Sequence, residues 1–223
     1  MNLLAIDAAC SVLSVAVSRG EEIFQAQTPA GMKHSELVMD LINTQTEKAG
    51  LKPDELNGIL CMGGPGSFTG LRIGFSISKG LALSMSVPFV PVPTLECIAY
   101  QISGAVIPVI QARKDAFFFA FFKDGRRIIG DADGTIEQIA EVLREKIREN
   151  VKITITGPDA EMIFYALPDE LKCFCGCLCK NSGYAKELIL IAKNKNLFYN
   201  DNTAFLYSGP EYIRKTDAEI NLL

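Results

Sequence analysis

The stretch GGPGSFTGLRIGFSISKG, residues 63–80, has the glycine content of a loop that binds phosphate. At the start of a helix, such a loop presents backbone N–H groups and the positive end of the helix dipole to an anion. Ser67 or Thr69 is placed to cap that helix. The glycines are spaced G-x-G-x-x-x-G, however, and Leu71 follows Gly70 where the Walker pattern has lysine. Either a phosphate-binding loop or a tight strand-to-helix turn explains this spacing.

The other groups with chemical potential are one histidine and a run of cysteines. His34 is the only histidine, so two imidazoles of one chain cannot share a metal. Cys173, Cys175, Cys177 and Cys179 alternate, and on an extended strand they would share one face over about 20 Å, too far apart for one tetrahedral zinc. We expect the face to be a core face of small apolar side chains; the alternative is oxidation or capture of a soft metal.

The composition indicates a globular chain and argues against a protein that binds nucleic acid by itself. Of the 223 residues, 48% are hydrophobic and 22% charged, and the net charge is -4. The opening MNLLAIDAAC lacks the basic residues of a signal peptide, and no apolar run approaches the roughly 20 residues that cross a bilayer. With seven cysteines and no export signal, we expect no membrane association, a cytoplasmic location and reduced thiols.

The order of predicted elements occurs twice along the chain, which predicts two α/β lobes at residues 1–103 and 104–223, each a mixed sheet with flanking helices. The first series has strands at 3–7, 11–17 and 21–27, a helix at 35–48, a strand at 58–63, a helix at 69–85, a strand at 88–92 and a helix at 94–102. The second has strands at 105–112, 116–124 and 126–132, a helix at 135–150, a strand at 151–157, a helix from 158, a strand at 172–180, a helix at 182–195 and a loop-rich strap at 196–223.

The helix predicted over 69–85 needs two packing partners. Its apolar residues spread over about 200°, wider than the roughly 100° stripe of a surface helix. Small residues also recur every four positions, at Gly70, Gly74, Ser78 and Ala82. The second partner is either the helix over 35–48 or another protein chain. The predicted partner interface consists of Leu37, Leu41, Leu71, Gly74, Phe75, Ile77, Ser78, Leu81 and Ala82.

The stretch GGPGSFTGLRIGFSISKGLA resembles the signature of the bacterial TsaB (YeaZ) family, and LLAIDAACSVLSVAV, KHSEL, QARKDAFFFAFF and PEYIRK occur in the family's order. The resemblance implies a two-lobed actin-like and sugar-kinase-like (ribonuclease H-like) fold. It implies a role in making threonylcarbamoyladenosine at position 37 of transfer RNAs. The implied partners are the catalytic subunit TsaD and the ATPase TsaE, with a homodimer when TsaD is absent and transfer RNA reached only through the complex.

The resemblance also implies that the nucleotide cleft is degenerate. The catalytic relative carries H-x-x-x-H where this chain has Thr94 and Ile98. Ala8 replaces a usual threonine, and Gln111 replaces a usual aspartate that could bind Mg²⁺ or act as a base. We therefore expect no catalysis, no cofactor and no metal. The vestigial cofactor-binding residues would be Asp7, Gly64, Gly66, Ser67 and Thr69.

One alternative function comes from another class of protein. A small ATP-dependent phosphotransferase of the sugar-kinase type would use Asp7 and the loop at 64–69 to bind phosphates. Turnover of ATP by the isolated chain separates this alternative from a non-catalytic subunit.

Overall fold

The structure, a computed structural model, describes residues 1–31, 33–147, 151–199 and 202–213. The chain divides into two compact units: Met1–Tyr100 with Asn181–Pro210, and Gln101–Lys180 with Glu211–Leu223. Each unit contains a mixed five-stranded sheet with flanking helices. The repeated element order expected from the sequence is confirmed.

The elements follow the sequence closely. The strands of the described residues are β1 (Leu3–Asp7), β2 (Val12–Arg19), β3 (Glu22–Pro29), β4 (Gly58–Gly64), β5 (Phe89–Pro93), β6 (Ala105–Arg113), β7 (Ala116–Lys123), β8 (Arg126–Gly134), β9 (Ile153–Gly157) and β10 (Cys175–Cys179). The α-helices are α1 (His34–Lys48), α2 (Phe68–Met85), α3 (Thr94–Ala99), α4 (Ile136–Ile147), α5 (Ala160–Ala166), α6 (Asp169–Lys172) and α7 (Ala185–Asn194). Residues 148–150 of the fourth predicted helix and 214–223 of the expected strap lie outside the described residues.

The first sheet has the strand order β3-β2-β1-β4-β5. The short turns after β1 and β2 produce an antiparallel meander, whereas the crossovers through α1 and α2 make β4 and β5 parallel to β1. This order places the end of β1 beside the end of β4. The turn after β1 and the glycine-rich loop after β4 therefore meet at one edge of the sheet.

Helices cover both faces of the first sheet. Val15 of β2 shares a hydrophobic core with Val38 of α1 and Phe75 of α2, so α1 and α2 lie on one face. Ser14, next to Val15 along the strand, points to the opposite face, where its hydroxyl accepts a hydrogen bond from the backbone N–H of Ala185 at the start of α7. Helix α7 thus covers the second face, against β1, β2 and β4.

The membership of α7 differs from the expected domain division. The boundary expected at residue 104 placed the helix in the second lobe, but Asn181–Pro210 belong to the first unit. Leu188, Ile189 and Ile191 are fully buried, and the face that they form packs on the first sheet. Farther along the segment, Phe205 packs against the core shared by α1 and α2. The described part of the expected strap within this unit therefore completes its layers.

The second sheet has the order β10-β9-β6-β7-β8 and repeats the scheme of the first. Strands β6, β7 and β8 form an antiparallel meander, and β9 and β10 are parallel to β6. Phe117, Phe119 and Phe121 alternate along β7 into a core shared with Leu143 of α4 and Ile163 of α5. No helix in the described part of the chain is long and apolar enough to cross a membrane.

The cysteine run corrects one expectation. Strand β10 lies at the edge of its sheet, and four of its five residues are exposed. Cys173, Cys177 and Cys179 are exposed and Cys175 is half-buried, so the expected core face is wrong. None of the chain's seven cysteines forms a disulfide.

Candidate functional site

The glycine-rich loop joins β4 to α2. Ser67, one of the two capping residues expected from the sequence, is the N-cap of α2, and its hydroxyl accepts a hydrogen bond from the N–H of Gly70 at 3.2 Å. At the other end of the loop, the N–H of Gly64 donates to the hydroxyl of Thr94 at 3.2 Å. Hydrogen bonds to the side chains of Ser67 and Thr94 therefore hold both ends of the loop.

The loop packs tightly on the turn that follows β1. The N–H of Ser67 donates to the carbonyl oxygen of Ala9 at 2.7 Å. A Cβ on Gly66 would lie 2.7 Å from the same oxygen, and one on Gly70 would overlap the carbonyl oxygen of Ala8. The chain's own backbone thus requires glycine at both positions. This contact accounts for Gly66 and Gly70 without a bound phosphate.

Asp7, the residue expected to be the vestigial metal and phosphate ligand, serves the fold. Its side chain is fully buried at the end of β1. One carboxylate oxygen accepts the N–H of Ala9 at 3.1 Å, and the other accepts the N–H of Tyr184 at 2.7 Å. Tyr184 is the N-cap of α7, so the carboxylate lies at the positive end of that helix. Asp7 therefore anchors α7 to the first sheet.

The positions that would carry two histidines in the catalytic relative are also internal. Thr94 and Ile98 lie one turn apart on α3, and both are buried. The hydroxyl of Thr94 is a hydrogen-bond partner of the glycine-rich loop. The lone His34 is buried at the start of α1, with Nε2 3.1 Å from the carbonyl oxygen of Cys10. In the described ranges, no three His, Cys, Asp or Glu side chains are placed to hold a metal together.

The predicted ridge of small residues on α2 faces inward. Gly70, Gly74, Ser78 and Ala82 are all buried, and a Cβ on Gly74 would be in ordinary contact with Ala8. The ridge allows α2 to approach its own sheet rather than another chain. Of the nine predicted interface residues, five are buried and unavailable to a partner: Leu71, Gly74, Phe75, Ser78 and Ala82.

The other four predicted interface residues are half-buried: Leu37, Leu41, Ile77 and Leu81. Leu37 and Leu41 are one turn apart on α1. On α2, the half-buried Ile73 extends the line of Ile77 and Leu81 at intervals of four residues. Leu37, Leu41, Ile77 and Leu81 pack partly against the core, and both rows leave apolar surface accessible.

A second row of small residues on α2 faces outward, and the sequence reasoning missed it. Ser76, Gly80 and Ser84 are exposed and also recur every four residues. A Cβ on Gly80 would meet nothing within 4 Å. Small side chains beside an apolar row let a second helix approach closely. The spacing was visible in the sequence, but burial was needed to tell the outward row from the inward one.

Comparison with known proteins gives one consistent result. The chain matches the family model "TsaD: tRNA N6-adenosine threonylcarbamoyltransferase" over residues 26–222. It is 27% identical to the tRNA threonylcarbamoyladenosine biosynthesis protein TsaB of Bacillus subtilis, over 98% of this chain and 96% of that protein. It is 28% identical to the protein of the same name from Buchnera aphidicola (Acyrthosiphon pisum), over 92% and 97% of the two chains.

Solved structures share the fold. YeaZ from Pseudomonas aeruginosa superposes with a TM-score of 0.70 at 20% identity, covering 88% of this chain and 92% of that chain. A ROK family protein from Streptococcus pneumoniae superposes with a TM-score of 0.52 at 11% identity, covering 88% and 100%. The actin-like, sugar-kinase-like fold expected from the sequence is confirmed.

Proposed function

Since this chain belongs to the TsaB (YeaZ) family and matches the TsaD family model over residues 26–222, we propose that it is a non-catalytic subunit in tRNA threonylcarbamoyladenosine biosynthesis. It binds TsaD, the catalytic subunit, and acts together with the ATPase TsaE. Transfer RNA is reached only through this complex.

The position of Asp7 carries the non-catalytic part of the proposal. A carboxylate that positions a metal and phosphate must face an open cleft, whereas Asp7 is fully buried and accepts two backbone N–H groups. The glycine-rich loop is likewise closed down on Ala8 and Ala9. Asp7 and the glycine-rich loop therefore both stabilise the first unit. The same geometry disfavours the phosphotransferase alternative.

The outward side of α2 is the proposed binding surface, with Leu37 and Leu41 of α1 contributing. It consists of the apolar row Ile73, Ile77 and Leu81 and the small-residue row Ser76, Gly80 and Ser84. A helix of TsaD packs on this surface. A second copy of this chain takes the same place when TsaD is absent, which gives a two-fold dimer.

Gly80→Arg tests the binding surface. The substituted side chain points into open space, so the chain folds, and its bulk and charge keep a partner helix away. We expect co-purification with TsaD to be lost while the circular dichroism spectrum and melting temperature are retained.

Gly130→Arg is the matched control. Gly130 is exposed on β8 of the second unit, and a Cβ there also meets nothing within 4 Å. This variant should bind TsaD as the unmodified chain does. If Gly80→Arg binds TsaD equally well, the surface lies elsewhere.

A further inference from the structure

The cysteine-bearing strand β10 forms an open edge of the second sheet. It is the last strand in the order, and no described strand pairs with its outer side. Cys177 and Cys179 are exposed, and a Cβ on Gly176 would meet nothing within 4 Å. An exposed edge strand is a template for pairing with another strand.

The backbone groups of the cysteines are those that point to the open side. The N–H of Ile153 in β9 donates to the carbonyl oxygen of Phe174, and the N–H of Lys180 donates to that of Gly157. In a parallel ladder alternate residues bond to the same neighbour, so the even-numbered residues of β10 face β9. The N–H and C=O groups of Cys175, Cys177 and Cys179 consequently point away from β9, to the unpaired side of the edge strand.

Cysteines within one strand cannot pair with one another. Residues two apart on a strand are separated by about 6.6 Å, whereas the Cβ atoms of a disulfide are roughly 3.8 Å apart. Cys175, Cys177 and Cys179 are each two residues from the next. Any disulfide of adjacent cysteines in this strand must therefore link to another strand.

A second copy of β10 is chemically complementary to the first. In an antiparallel pair of these edges, residues with outward backbone groups must face each other, so odd-numbered residues oppose odd-numbered residues. In each register that overlaps the strand centres, Cys177 faces Cys175, Cys177 or Cys179 of the second copy. The Cα atoms of such hydrogen-bonded pairs are about 5.5 Å apart, within the range of roughly 4.4–6.8 Å found in disulfides.

The side chains on the other face of the strand also fit a second copy of β10. Phe174 and Leu178 are 39% and 49% exposed, and they alternate with the cysteines. In the register centred on Gly176, Phe174 opposes Leu178 of the second copy. Pairing therefore brings apolar side chains together on one face and thiols together on the other.

We propose that β10 is a redox-dependent self-association edge, at which two copies pair antiparallel and Cys177 forms an inter-chain disulfide by exchange with a low-molecular-weight disulfide such as oxidised glutathione. The Cys177 thiolate attacks one glutathione sulfur and releases the other glutathione as a thiol. The facing cysteine of the second copy then displaces the second glutathione. Two protein thiols are oxidised to one disulfide, and one glutathione disulfide is reduced to two thiols that carry the two protons.

The raised pKa values of these thiols slow their reaction with free disulfides. Burial raises the pKa of Cys175 to about 11, and burial also raises the pKa of Cys177. At neutral pH both are protonated and exchange slowly with a free disulfide. Pairing of two edges holds the reacting sulfurs together and favours the second exchange step.

The test is oxidation of the folded chain by oxidised glutathione, read by non-reducing gel electrophoresis. The unmodified chain should give a covalent dimer that dithiothreitol reverses. Cys177→Ser should abolish it, because in the register centred on Gly176 the facing cysteines of the two β10 strands are Cys175 and Cys177. Cys173→Ser is the matched control, because Cys173 precedes β10, and its dimer should persist. The gel detects covalent dimers alone, so an outcome here is independent of the surface on α2.

Peptide mapping of the dimer gives the second measurement. The linked peptides should join Cys177 to a residue of 175–179, and the buried Cys10, Cys61 and Cys97 should remain unlinked. The proposal is overturned by a Cys177→Ser variant that dimerises normally, or by a product that is only the mixed disulfide with glutathione. It is equally overturned if gel filtration shows a dimer that a chelator dissociates while the non-reducing gel shows only monomer, which would indicate a soft-metal bridge.

Discussion

Gly70 and Gly74 lie one turn apart on the same side of α2, yet their surroundings differ. At Gly70 an added Cβ overlaps the backbone oxygen of Ala8, whereas at Gly74 it meets the Cβ of Ala8 at 3.9 Å, an ordinary contact. The sequence shows both as members of one ridge. Only the structure shows that Ala8, in the turn after β1, lies so close to Gly70 that this position must be glycine.

This difference predicts opposite effects of the same substitution. Gly70→Ala should destabilise the chain by about 3 kcal/mol, because backbone must shift to admit the methyl group. Gly74→Ala should leave stability unchanged or raise it by up to about 1 kcal/mol, because alanine is the better helix former. Urea denaturation measures both. Equal stabilities of the two variants would mean that α2 does not approach Ala8 as described.

At the scale of elements, the anchoring of α7 to the first sheet depends on two side chains of the meander. Asp7 accepts the N–H of Tyr184 and Ser14 accepts the N–H of Ala185, at 2.7 and 3.1 Å. We expect Asp7→Asn to lower the free energy of unfolding by about 1–3 kcal/mol, because the substituted amide leaves a buried partner unsatisfied. Asp40→Asn, an exposed change on α1, should alter it by less than about 0.5 kcal/mol.

The measurement is chemical denaturation of both variants, with hydrogen exchange at the start of α7 as a local readout. Faster exchange in Asp7→Asn alone supports the anchoring role. Unchanged exchange and stability in that variant would contradict it, and the burial of Asp7 would then need another explanation.

The elements themselves could be predicted from the sequence, but the placement of α7 could not. The β-rich run AFFFAFFKD at 116–124 indicates a strand, and the spacing of Val38 and Ile42 indicates a helix. The local sequence pattern of α7 does not indicate which of the two sheets this amphipathic helix covers. That depends on hydrogen bonds between residues about 170 positions apart, such as Ser14 and Ala185. The cysteine run was misjudged for a similar reason, since alternation does not distinguish an edge strand from a central one.

At the scale of the whole molecule, the chain has an actin-like fold in which Asp7 and the glycine-rich loop make contacts that stabilise the first unit. We propose that the outward surface of α2 provides the chain's contribution to tRNA modification. An interface role explains why apolar rows and small side chains occur together on the outer side of one helix. The proposed binding surface lies farther along α2 than the glycine-rich loop.

Reconstitution tests this central claim most directly. TsaD, TsaE, transfer RNA and a threonylcarbamoyl donor are combined with this chain, without it, or with its Gly80→Arg variant, and modified adenosine is counted over many turnovers. We predict sustained modification only with the unmodified chain, a rate with Gly80→Arg no higher than without the chain, and no product from the chain alone. Sustained modification in its absence, or product formed by the chain alone, would contradict the account.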